Sequence, residues 1–130
     1  MDRLAFVGAS GMGALSFSPT SEYRLASTGD IDLATLGMEA QAFFDGQTEE
    51  VLADLVAAGS SGGARPKAQF YISPDEPDRC RTVARPGDEA WLVKFTSRNL
   101  PLGHEEGLCE AVYLRLAGKL GLEPPEWRLF

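Results

Sequence analysis

The stretch AGSSGGARPKAQFYIS, Ala58 to Ser73, sets Ser60, Ser61, Gly62, Gly63, Ala64, Arg65 and Lys67 between a helical pattern and a strand pattern. A glycine turn at the mouth of a strand lets backbone N–H groups approach phosphate oxygens with no Cβ in the way. A lysine from a nearby strand adds a point charge to the same oxygens, and such a lysine is steadied by a carboxylate on a packed helix. Lys94 lies in the apolar run AWLVKF, where lysine is disfavoured unless paired or at an edge. Glu110 follows on the last helix, bordering its apolar stripe, so a Lys94–Glu110 ion pair joining strand to helix is consistent with the spacing. A plainer arrangement satisfies the same residues. Lys94 then reaches solvent from a sheet edge, Glu110 is solvated, and the serines and glycines form an ordinary turn.

The elements that must carry these groups are legible from periodicity. Leu15 and Phe17 alternate with Ser16 and Ser18 as a strand that Pro19 ends, after a tight glycine turn at Gly11-Met12-Gly13. A loop over 20–31 leads to a helix from Leu33 to Phe44, with Leu33, Leu36, Ala40 and Phe43 at helical spacing and Gly46 at its exit. A second helix, TEEVLADLVAA, starts at the N-cap candidate Thr48 and stops at Gly59. Ala68, Phe70 and Ile72 mark another strand. Residues 74–89, with three prolines and many charges, read as an exposed connection. In the strand Ala90 to Phe95, Trp91, Val93 and Phe95 take one face and Leu92 and Lys94 the other. A loop containing His104, read as an exposed residue, precedes the last helix, Glu105 to Leu120. Its expected buried stripe is Cys109, Val112, Tyr113, Leu116, Ala117 and Leu120, with Gly121 as its cap and Pro124 and Pro125 beyond. EWRLF begins a further strand. The fold class is therefore α+β, a small antiparallel sheet with packed helices.

Bulk properties narrow the function. The chain has 130 residues, 44% hydrophobic, and a formal charge of −7, which suits one domain with a core and repels polyanions at long range. No direct nucleic-acid or membrane partner is expected. Cys80 and Cys109 have no C-x-x-C spacing, so neither zinc nor redox chemistry is indicated. The N-terminus lacks a signal-peptide pattern and no run approaches a membrane span, so a cytoplasmic location is expected. No metal site and no serine, cysteine and histidine set for nucleophilic catalysis can be assembled.

GSSGGARPKA, WLVKF and LCEAVYLRLAGKLGLEPPEWRL together resemble the HipA family of serine/threonine kinases, the toxin halves of bacterial toxin–antitoxin pairs. LAFVGASGMGALSFSP, with its G-x-L-x-F-x-P ending, and DLATLGMEAQAFF are similar to HipA sequences as well. The resemblance implies that 1–46 is the end of a first N-terminal subdomain and 47–130 the small, nucleotide lobe of a kinase. It places Gly62, Gly63, Ala64 and Arg65 in the loop that covers the ATP phosphates and Lys67 at its close. Lys94 matches the ATP-contacting lysine and Glu110 the glutamate that orients it. Ser60, with Ser61 beside it, takes the autophosphorylated position. The catalytic and metal-holding residues of the family lie on a C-terminal lobe beyond Phe130, and none is assigned here. ATP and magnesium are thus implied for a full-length parent, with no tight binding expected of this fragment and no phosphoryl transfer by it alone.

By the same resemblance the partners are that C-terminal lobe and a helix-turn-helix antitoxin. The isolated lobe face, with Phe70, Trp91, Tyr113, Trp127 and Phe130 as candidates, offers a route to a homodimer. Two other readings are kept. One is a short HipA-like regulatory or antitoxin-type protein that neutralises a separate kinase chain. The other is a structural domain with no ligand.

Overall fold

The computed structural model describes residues 5, 8, 15–21, 29–48 and 65–130. These form a small α+β fold with two α-helices and two small antiparallel sheets. In chain order the elements are β1 (Ile31–Asp32), α1 (Leu33–Phe44), β2 (Lys67–Ile72), β3 (Arg79–Cys80), β4 (Glu89–Lys94), a 3₁₀ turn (Gly103–Glu105) and α2 (Glu106–Lys119).

The apolar spacing of α1 produces the expected helix with the expected bounds. Asp32 caps its start, accepting from the Thr35 N–H at 2.8 Å, which satisfies one of the orphan donors of the first turn. At its end Gly46 takes φ 71°. The N–H groups of Gly46 and Gln47 then reach the carbonyls of Phe43 and Ala42, the paired bonds of a Schellman stop. α2 ends in the same way: Gly121 (φ 79°) donates to Gly118 O and Leu122 to Ala117 O.

β2 and β4 pair antiparallel with Phe70 opposite Trp91 and Lys67 opposite Lys94. Directly opposed residues share a face, so Ala68, Phe70, Ile72, Trp91 and Val93 lie on one side. That side packs on Leu33, Leu36 and Ala40 of α1, with Cys80 and Phe95 closing the core. β1 pairs with β3, and Tyr71 and Arg81 exchange both backbone hydrogen bonds at 2.9 Å, tying the two sheets together.

Four expectations need correction. Residues 15–18 form no strand: Leu15 is exposed, and the Phe17 N–H donates to Gly8 O. Residues 74–89 are not simply an exposed connection, since they hold β3, the fully buried Cys80 and the buried Arg81. Arg81 is charged yet inside because three carboxylates meet it. Asp30 accepts from Nε at 2.9 Å, Asp88 from Nη1 at 2.7 Å and Glu76 from Nη2 at 3.3 Å. Burial alone would raise the Asp30 pKa, but the guanidiniums of Arg81 and Arg85 hold it below the ordinary carboxylate value.

The third correction concerns α2. Its buried position is Ala111, while Val112, Tyr113, Leu116 and Leu120 of the expected stripe are exposed. The helix turns toward the sheet the face bearing Gly107, Glu110 and Ala111, where an ion pair and small residues permit close approach. Fourth, residues 122–130 form no strand. Of the aromatic patch, Phe70 is wholly core and Trp91 packs against the core, leaving Tyr113, Trp127 and Phe130 exposed. The expected helix from Thr48 onward lies, past Thr48 itself, outside the described residues.

Candidate functional site

Lys67 and Lys94 stand directly opposite each other on β2 and β4, on the face turned away from α1. Opposed like charges destabilise a sheet unless something compensates. The compensation comes from α2. Glu110 Oε1 accepts from Lys94 Nζ, and Glu110 Oε2 accepts from Arg65 Nη1. Arg65 precedes β2 through Pro66, and its Nε donates to the Phe95 carbonyl at 3.4 Å, one residue past β4. Pro66 offers no N–H, and its own carbonyl accepts from the Phe95 N–H at 2.9 Å. One carboxylate therefore joins the residue leading into β2, the end of β4 and the face of α2.

The charge balance is distinctive. Arg65, Lys67 and Lys94 carry three positive charges against one on Glu110, a local surplus of two in a chain whose formal charge is −7. Lys94 and Glu110 are each 35% exposed and Arg65 16%, so solvent reaches the ammonium while the guanidinium is mostly covered. Such an arrangement can accept an anion at the lysines while keeping its own carboxylate occupied.

The hydrogen bond from Lys94 is the largest influence on Glu110. It outweighs desolvation and, helped by Arg65, holds the carboxyl below its ordinary pKa. A carboxyl depressed in the folded state stabilises the fold fully above its unfolded pKa, and that contribution is lost as pH falls through the folded value. Denaturant midpoints are expected to be level from pH 7 to about 5 and to fall below about pH 4. A Glu110→Gln chain should start lower at neutral pH and show a shallower acid decline. A midpoint that rises on acidification would contradict this arrangement.

A cavity of about 720 Å³ runs along β4, reaching from α1 to α2. Its walls include Met38, Leu92 and Leu114 beside Arg65, Lys94 and Glu110, and residues 125–130 line it too. Arg128 holds that last segment in place, its guanidinium 4.7 Å from the centre of the Trp91 ring. An apolar trough with a cationic end suits a ligand that is flat or apolar at one end and anionic at the other.

The sequence-predicted residues thus divide. Arg65, Lys67, Lys94 and Glu110 are brought together. Ser60, Ser61, Gly62, Gly63 and Ala64 lie outside the described residues. Sequence reasoning missed the bond from Arg65 to Glu110, and it missed Gly107. A Cβ at Gly107 would stand 3.4 Å from Arg65 Nη2 and 3.5 Å from Thr96 Cγ2, so the glycine lies in contact range of the guanidinium. The available signal was the E-G-x-x-E pattern, which puts Gly107 one turn before Glu110 on one face.

His104 is exposed ahead of the last helix, as expected, and its Nε2 also lies 3.0 Å from Oδ2 of the buried Asp45. Asp45 also accepts from the Arg98 N–H at 2.8 Å, and Ser97 Oγ donates to Phe44 O. This stitching fixes the loop after β4 to the end of α1. Burial works to raise the Asp45 pKa, but the bonds from Arg98, Ser97 and His104 together lower it. Among the described residues no group of histidine, cysteine, aspartate and glutamate could hold a metal ion, and no helix is long and apolar enough to cross a membrane.

Comparison of the chain with protein-family models, with curated proteins and with solved structures gives no match.

Proposed function

We propose that this chain is the nucleotide-phosphate-binding part of a HipA-like serine/threonine protein kinase, with the remaining catalytic lobe supplied beyond it. The observation that carries the reading is the pair of cations, Arg65 and Lys94, on Glu110 at the end of the trough along β4, with Lys67 opposite Lys94 in the ladder. Lys94 offers its ammonium to phosphate oxygens and Glu110 fixes where that ammonium sits. The segment holding Gly62 and Gly63 immediately precedes Arg65 in the sequence, and the HipA resemblance assigns that glycine segment to the same anion. The adenine and ribose take the apolar part of the trough. Phosphate on Ser60 would bring about −1.5 to −2 of charge shortly ahead of Arg65 and Lys67 in the sequence and compete with ATP for the lysines. The parent would use ATP and magnesium, act on a protein substrate, and be restrained by a helix-turn-helix antitoxin.

The chain alone holds half of such a cleft, so its ATP affinity is expected to be weak, on the order of millimolar. Titration with ATP followed by amide NMR is expected to shift signals of Arg65, Lys67, Lys94 and the 60–64 segment at millimolar concentration. Shifts confined to other surfaces would sink the phosphate site. Tight, magnesium-dependent binding by calorimetry would instead sink the division of labour between this chain and a second lobe.

A further inference from the structure

Resting on the phosphate-site reading, we propose that Arg65 is a positioning residue for Lys94, acting through Glu110 rather than by gripping the anion itself. The two oxygens of Glu110 are divided, one to Lys94 and one to Arg65. An ion pair as exposed as Lys94–Glu110 is weak by itself, because holding two long side chains in one geometry costs entropy. Arg65 removes part of that freedom. Its fork takes Glu110 with one arm and, through Nε, the Phe95 carbonyl, so the carboxylate is referenced to the strand that carries Lys94. A planar, always-charged guanidinium holds both contacts in one fixed geometry, whereas an ammonium on a flexible stem has donors but no such fork. The fork lies against Gly107, whose ideal Cβ position is 3.4 Å from Nη2. Arg65 is also 16% exposed where Lys94 is 35%, so the lysine is the better placed of the two to meet a solute. With one Glu110 oxygen taken, Lys94 keeps N–H donors for phosphate.

The test labels lysines with an amine-reactive ester at pH 8 and reads each site by mass spectrometry. Lys119, exposed at the end of α2, is the internal reference, and protection of the buried Cys80 thiol from a maleimide applied in parallel reports whether the fold is intact. Arg65→Gln is expected to raise the Lys94 rate about threefold, with Lys119 unchanged and Cys80 shielded. In a Glu110→Gln chain the same change should add nothing, since residues acting as one unit are not additive. An unchanged Lys94 rate, or an undiminished effect in the Glu110→Gln background, overturns the proposal. Should Arg65→Gln unmask Cys80, Arg65→Lys decides by the same criteria, with about a twofold rise expected from losing the fork while keeping the charge. Inorganic triphosphate added to the unmodified chain tests the phosphate site separately. If it fails to shield Lys94, that reading falls, while the rates without ligand still decide the role of Arg65.

Discussion

Phe70→Ala is expected to lower stability by about 3–5 kcal/mol, the largest loss of any single truncation in the sheet. Phe70 is completely buried at the centre of β2. It faces Trp91 across the ladder and shares its core cluster with Leu36 and Ala40 of α1. Removing the ring forfeits both its transfer free energy and the contacts of its neighbours, because a close-packed interior relaxes only partly into the space left. A domain of this size has a total of roughly 5–15 kcal/mol, so the variant should sit near the edge of folding. Urea denaturation followed by tryptophan fluorescence is the measurement, with Trp91 as the local reporter. A loss under about 1 kcal/mol would mean that the sheet does not rest on α1 through this ring.

Lys94→Ala should separate function from stability. Truncating this partly exposed partner of Glu110 is expected to change stability by no more than about 1 kcal/mol. In the longer kinase proposed above, the same change removes the charge aimed at the transferring phosphoryl group and should lower phosphorylation about 100-fold or more. Both assays are needed. Retained phosphorylation in the Lys94→Ala parent would remove Lys94 from the nucleotide site, whereas a large stability loss with proportionate activity loss would make it a structural residue.

The helix α1 was legible to its end residues because Leu33, Leu36 and Ala40 keep one face and Asp32 and Gly46 bracket it. The strands β2 and β4 were legible from their alternation, and with them the parity that places Lys94 away from the core. The contact with Glu110 was one of two arrangements that the spacing allowed. What could not be read is instructive. α2 offers two possible buried faces, one richer in large apolar residues and one bearing Gly107, Glu110 and Ala111. Periodicity favours the first, yet the ion pair with Lys94 and Arg65 selects the second, and that selection depends on residues far away in the chain. Arg81 hid for a related reason. A run such as PDEPDRCRTVARPGDE has the composition of a solvated surface, and composition cannot say that two of its acids, Glu76 and Asp88, converge with the distant Asp30 on one guanidinium. Asp45 and His104 likewise became partners through the turn that brings the loop after β4 back to α1.

The guanidinium of Arg81 has a mechanical meaning. Asp30 stands before β1 and Asp88 just before β4, so one side chain clasps the two ends of a long span of sequence into a belt. The span includes α1, β2 and β3, and the clasp is made of charges rather than of sulfur. Its strength is therefore set by acidity instead of by redox conditions, and a chain that needs no oxidant to fasten the belt can fasten it wherever the pH stays near neutral.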